Sequence, residues 1–271
     1  MANGVLQGHS QPIRETQVRN QAPTRDATLE QQPARVQASS LILSRRPIVT
    51  TLAIVVAMLF LLSMAGQIAR FHFGHPTVFG LVDMFYLDLE NNLPTWYQSV
   101  NFLVAAGLMV MIVLSNRNNG RPFAAHWLGL AILFCFLSLD EVASLHESTI
   151  NPMQRVIMPT GIWAPTWVIL GFAAVAIIAL VYWRFFFHFE WRQRLHMVTA
   201  GAIFLGGALA AEMMTGVMFD TTDPDFKNAF PYAVLANIEE LLEMAGLLIF
   251  IDFLMRLAGR SAPLQVIVST K

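Results

Sequence analysis

Apolar residues in this chain are gathered into runs of about 20, the length that crosses ~30 Å of hydrocarbon as a helix. Six such runs can be counted, at about 48–69, 94–115, 124–147, 163–186, 195–218 and 232–255. The connections between them are short, which predicts antiparallel neighbours in a bundle. The expected fold is an all-α membrane protein, with a six-helix transmembrane domain over residues 47–256. Residues 1–46 carry no apolar periodicity and are rich in Gln, Arg, Pro and Ser, so they are read as a disordered tail. Residues 257–271 form a short second tail. The first apolar run begins at Ile48, just after Arg45 and Arg46. That is too late for the apolar core of a secretory signal, and the run reads as an uncleaved span.

Smaller patterns refine this outline. Val78, Val82, Phe85 and Leu89 recur at helical spacing with Asp83 and Asp88 off the stripe, which predicts a short interfacial helix after the first span. Asn92 followed by Pro94 predicts an N-cap and a first-turn proline opening the second span. In the fifth span Gly207 and Ala211 form a small-xxx-small pair that lets helices approach closely. Trp96, Tyr97, Trp163, Trp167, Tyr182, Trp183 and Trp191 fall near the expected interfaces and read as an aromatic belt.

Composition agrees with a polytopic chain: of 271 residues, 55% are hydrophobic and 13% charged, against about 25% charged in a soluble domain. The single cysteine, Cys135, excludes an intrachain disulfide and a CxxC motif. Net charge is −1, and its distribution is more informative than its sum. With the N-terminus inside, the inner segments hold Arg14, Arg19, Arg25, Arg35, Arg45, Arg46, Arg117, Arg121, Arg184, Arg192, Arg194, Arg256, Arg260 and Lys271. The outer segments hold only Arg70, Arg155 and Lys227. Fourteen against three predicts cytoplasmic termini at both ends of a multi-pass protein of a bacterial inner membrane. No basic patch with interleaved aromatics supports nucleic-acid binding. The expected partners are the lipid bilayer and a membrane protein or second copy of the chain.

The candidate chemistry lies in ionisable residues inside the spans. Asp140 and Glu141 sit near the outer end of span three, Glu212 near that of span five, and Glu239, Glu240 and Glu243 near that of span six. At ~1.5 Å per residue these six carboxylates occupy one slab roughly 9 to 17 Å beneath the outer surface. Glu90 and Asn101 offer a fourth wall from span two. On a continuous helix, Asp140, Glu141, Ser144 and Glu147 share one arc, and His146 projects away from it unless the helix unwinds near its end. A carboxylate at the centre of a span costs roughly 2.5 to 3.5 kcal/mol, less toward the interface, so six together cost on the order of 10 kcal/mol. They must face a polar cavity or one another. With no Lys or Arg in the outer halves of the spans, neutralisation falls to bound protons or a bound cation. Arg155 is the external-loop base that could fold over the site. The expected ligand set is Asp140, Glu141, Glu212, Glu239, Glu240 and Glu243, with Glu90, His146 and Glu147 at the mouth. Oxygen ligation favours iron, manganese, calcium or magnesium, and one imidazole tilts the set toward iron or manganese.

The run Leu137-Ser138-Leu139-Asp140-Glu141, followed by His146-Glu147, resembles the third helix of uncharacterised bacterial inner-membrane proteins, and the resemblance implies no activity. In outline the bundle is similar to the ferritin-like di-iron proteins, whose hallmark is Glu-x-x-His on two helices. Here Glu141 is followed three residues on by Ser144, and Glu240 by Glu243, so that motif is absent. The zinc-dependent intramembrane ceramidase-like hydrolases lean on several histidines, whereas only His72, His75 and His146 are external here. The sequence therefore predicts an externally open carboxylate site binding a cation, in a membrane metalloenzyme acting on a lipid-like or small substrate. The alternatives are a proton- or cation-coupled transporter and an assembly subunit of a membrane complex.

Overall fold

The computed structural model describes residues 38–42, 44–115, 123–157, 161–221, 228–261 and 265–269. Most of the expected N-terminal tail therefore lies outside the described residues. Residues 40–268 form one unit, which holds every helix among the described residues. Short strands β1 (Ala38–Ile42) and β2 (Gln265–Ser269), which the hydrophobic pattern did not predict, pair as a two-stranded sheet.

Five helical segments are long and apolar enough to cross a membrane: α1 (Arg45–His72), α3 (Leu93–Ser115), α4 (Ala124–Ala143), α7 (Trp167–Phe187) and the segment Trp191–Met218. The last is composite. It comprises α8 (Trp191–Leu205), a π-helical stretch (Gly206–Ala211) and α9 (Glu212–Thr221). The sixth expected span falls within α10 (Phe230–Ser261), whose 32 residues are ample in length but carry Glu239, Glu240, Glu243, Asp252 and Arg256. Short helices α2 (Leu81–Phe85), α5 (Leu145–Ser148) and α6 (Ile150–Ile157) lie in the connections. The predicted interfacial helix thus shrinks to five residues, in which Val82 is buried and Asp83 exposed. The expected N-cap is present: the Asn92 side chain accepts from the Thr95 N–H at 3.1 Å.

α10 is the axis of the bundle. It packs against α1, α3, α8, the π-helical stretch and α9, and its residues Ile251–Met255 are all buried. Enclosure on all sides is what lets the most heavily charged helix stand in the middle of an apolar bundle. Two glycines set the closest approaches. At Gly246 a Cβ would meet the Phe204 backbone nitrogen at 2.5 Å, so α8 and α10 touch backbone to backbone. Polar contacts supplement the packing: the Ser99 hydroxyl meets Ser138 across the α3–α4 contact at 2.8 Å, and the Ser63 hydroxyl donates to Asn237 across the α1–α10 contact.

At the end remote from the acids, Asp252 of α10 gathers bases from three helices. Arg45 of α1 donates to it, Arg256 Nε donates at 2.7 Å from one turn along, and His196 Nε2 of α8 lies at 3.7 Å. The pair expected from the i, i+4 spacing of Asp252 and Arg256 is therefore part of a larger knot. α7 is held at both of its ends. Near the acids Gly171 packs on Leu209 with no room for a Cβ, and at the other end the Tyr182 hydroxyl donates to the His126 carbonyl at 3.1 Å beside Phe185, Trp127 and Phe123. Between these points α7 borders an apolar cavity of about 560 Å³.

Asp252 is 8% exposed and Arg256 54%, so the two halves of this ion pair differ in weight. Asp252→Asn should destabilise the protein by about 1.5–3 kcal/mol, because Arg45 loses its counter-charge. Arg256→Ala should cost no more than about 0.5 kcal/mol, the value of an exposed i, i+4 pair. Thermal melts in one detergent check the order.

Candidate functional site: a carboxylate cluster around helix α10

The third span ends earlier than its hydrophobic pattern implies. α4 stops at Ala143, and Ser144 takes a left-handed conformation (φ 51°) while its N–H bonds the Asp140 carbonyl at 2.7 Å. A non-glycine residue there costs about 1–2 kcal/mol. The return is that His146 folds back on Asp140. Its backbone N–H donates to Asp140 Oδ1 at 2.8 Å, and its Nδ1 lies 3.0 Å from Oδ2. The shared arc of Asp140, Ser144 and Glu147, which assumes a continuous helix, is broken, and His146 is brought in rather than turned out. The Glu147 side chain lies outside the described residues.

Glu212 is placed by the π-helical stretch that precedes it. Wider winding there is a feature common at functional sites. Gly207 makes it possible, because a Cβ at that position would meet the Glu239 carbonyl oxygen at 2.6 Å and Glu243 Cγ at 2.9 Å. The close approach expected of Gly207 is thus directed at the acidic turn of α10. Glu212 thereby comes within electrostatic reach of Glu239. Trp167 Nε1 donates to Glu212 Oε1 at 3.4 Å, and its ring packs edge-on against His146 at 4.9 Å. Trp167 is therefore a wall of the site rather than a member of the aromatic belt.

The α2–α3 connection closes the cluster. Asp88 acts electrostatically on Glu239 and Glu240, and Glu90 on Glu141. Burial, reinforced by Asp88, holds the Tyr86 phenol far above its ordinary range, so it remains an O–H donor and bonds Asp88. Glu243 feels Glu212, Asp140 and His146, and Glu141 feels Glu243 and Asp140. Acids from the connection, α4, α9 and α10 thus meet. Glu239 is buried, while Asp140, Glu141, Glu212, Glu240 and Glu243 are half-buried. Arg155 is exposed on α6 and forms no salt bridge among the described residues.

Two enclosed amides flank α10, and one of them stands at this level. Gln98 is fully enclosed (0% exposed), and neither its Oε1 nor its Nε2 has a hydrogen-bond partner among the described residues. Its neighbours fix its direction. Ser99 bonds Ser138 of α4, and Tyr97 donates to the Leu52 carbonyl of α1 at 2.8 Å. At 100° per residue Gln98 points between those helices, toward α10. Ser138 lies two residues before Asp140, so Gln98 stands level with the acids. Gln67, one turn beyond Ser63 on α1, is equally enclosed and unpartnered. Buried amides are normally satisfied, and each one left over calls for a ligand or water beside it.

The sequence expectation needs correction on one point. Among the described residues no three His, Cys, Asp or Glu side chains come close enough together to hold a metal ion. Oxygen ligands to calcium or magnesium must all lie within about 2.0–2.6 Å of one point, and the carboxylates here project from four elements, the α2–α3 connection, α4, α9 and α10. Asp88, Tyr86, Gln98 and Trp167 were missed as members of the cluster. Asp88 and Glu90, two acids in the segment that opens span two, were the available signal.

The chain belongs to the family described as Domain of unknown function (DUF8692). That family's model matches residues 49–257, from the first turns of α1 to near the end of α10, and so spans the whole carboxylate cluster. No curated protein and no solved structure matches the chain.

The π-helical contact makes a sharp contrast between adjacent glycines. Gly207→Ala should destabilise by about 1–3 kcal/mol through overpacking against α10. Gly206→Ala, where an added Cβ meets nothing within 4 Å, should be neutral or stabilise by up to about 1 kcal/mol. Paired melting curves of the two variants decide it.

Proposed function

We propose that this is a six-span membrane protein with both termini in the cytoplasm of a bacterial cell. Its carboxylate cluster, open toward the outer face, binds a cation. The observation that carries the reading is the gathering of Asp88, Glu90, Asp140, Glu141, Glu212, Glu239, Glu240 and Glu243 around one turn of α10. His146 is the basic group that the described residues add to it. Carboxylates so arranged repel one another, and a cation entering among them relieves that repulsion. The span count rests on the length of α10 and its enclosure by the bundle, and the orientation on the segregation of Arg and Lys.

That no three His, Cys, Asp or Glu among the described residues could hold a metal ion favours a polyatomic cation over a bare one. An ammonium group donates three N–H bonds in different directions and is satisfied by oxygens on separate helices. The unpartnered carbonyl of Gln98 is a further acceptor for such a group.

Butylammonium and manganese(II) binding to the protein in phosphatidylcholine nanodiscs, followed by calorimetry, tests the reading. Wild type is expected to bind butylammonium, and the Glu141→Gln, Glu240→Gln double variant to bind it at least about tenfold more weakly, the loss of one charge-assisted bond or more. Manganese(II) should bind more weakly than butylammonium. Identical isotherms for the two proteins would overturn the proposal.

One observation favours a second reading, proton-coupled transport: Glu239 is buried within electrostatic reach of Glu212, the residue at which the π-helical stretch gives way to α9. On that reading Glu239→Gln in proteoliposomes should abolish flux driven by a pH gradient, and a wild type without such flux rejects it.

A further inference from the structure

The apolar cavity beside α7 ends one helical turn from the carboxylates on every wall they share. On α4 its outermost lining residue is Leu137, three and four residues before Asp140 and Glu141. On α10 the lining begins at Gly246 and Leu247, three and four residues after Glu243. On α3 it includes Phe102, four residues after Gln98. A turn is ~5.4 Å of rise, so the top of the cavity and the floor of the acidic cluster adjoin on three independent helices. In the other direction the lining on α7 runs from Val175 to Phe187, a rise of ~18 Å. At about 560 Å³ the cavity falls within the range of pockets that take a single small-molecule ligand.

The shape is that of a polar head site joined to an apolar tail site. The acids without a matching base lie at one end, Asp252 beyond the other is paired with Arg45 and Arg256, and the walls past Leu137 are aliphatic and aromatic, with Tyr182 among the few polar groups and its hydroxyl committed to His126. Resting on the cation reading above, the geometry points to a single-chain amphiphile as the ligand. Its ammonium head lies among Glu141, Glu240 and Glu243, and its alkyl chain lies in the cavity along α7. Charge decides the class: a phosphate or carboxylate head would meet the clustered acids, whereas an amine complements them and also meets the carbonyl of Gln98. Any bilayer lipid chain could wet an apolar groove, but only a cationic head is held by the acids at its end.

Gly201 of α8 supplies the test, because it lines the cavity and a Cβ built on it meets nothing within 4 Å. Gly201→Phe therefore fills the tail site without pressing on backbone, and Gly201→Ala is the control that leaves it open. In phosphatidylcholine nanodiscs, with empty nanodiscs measuring partition, three probes are titrated: dodecylammonium, butylammonium and dodecanol. Because lipid chains compete for the same groove, the gain from the longer chain is expected to be on the order of tenfold rather than the full transfer value. Wild type and Gly201→Ala should bind dodecylammonium about tenfold more tightly than butylammonium or dodecanol. Gly201→Phe should abolish that gain and leave butylammonium unchanged. If dodecylammonium affinity ignores Gly201→Phe while butylammonium binding is lost in Glu141→Gln, Glu240→Gln, the tail assignment fails and the cation site stands. If dodecanol matches dodecylammonium, the head assignment fails. If butylammonium binding is indifferent to the double variant, the cation site fails and the inference falls with it.

Discussion

A carboxylate within a membrane cannot face lipid, and the architecture of this protein follows from that prohibition. α10 carries three glutamates within five residues near one end and Asp252 near the other. Its insertion is tolerable only if other helices surround it, and α1, α3, α8 and α9 do so. The outer members of the bundle, α4 and α7 especially, present Leu, Ile, Val and Phe to the surroundings. The charged helix becomes the axis because the alternative is a cost of several kcal/mol for every exposed acid.

The two charged regions of α10 are resolved in opposite ways. Asp252 is neutralised internally, by Arg45, Arg256 and His196, and ties the ends of α1 and α8 to the axis. Among the described residues the glutamates are not answered by a matching set of bases, and His146 is held against Asp140. That asymmetry along one helix is what the proposed cation binding rests on.

Local departures from regular helix concentrate at the acidic end. α4 breaks at Ser144, the fifth span passes through a π-helical stretch at Gly206–Ala211, and Gly207 gives up its side chain to bring that stretch onto α10. Each departure has an energetic cost in strain or lost packing, and each moves a polar side chain, His146 or Glu212, toward the same turn of α10. At the opposite end the helices are regular and joined by aromatic edge-to-face contacts, among them Trp127 with Phe185 and Phe189 with Phe253.

Hydrophobic runs and the expense of placing charge in hydrocarbon determined much by themselves: the helical class, five of the apolar segments, the N-cap at Asn92, and the expectation that Asp140, Glu141, Glu212, Glu239, Glu240 and Glu243 turn inward at a common depth. Those inferences need only periodicity along one helix and a penalty per residue. Three matters were decided by tertiary structure, because each depends on distances between segments remote in sequence. His146 joins the acids since the chain unwinds at Ser144, which a 100° wheel over residues 140–147 cannot anticipate. Gln98, Trp167 and Asp88 join the acidic cluster because of what stands opposite them. That no three His, Cys, Asp or Glu among the described residues could hold a metal ion follows from how four elements converge, and no spacing within any one of them encodes it.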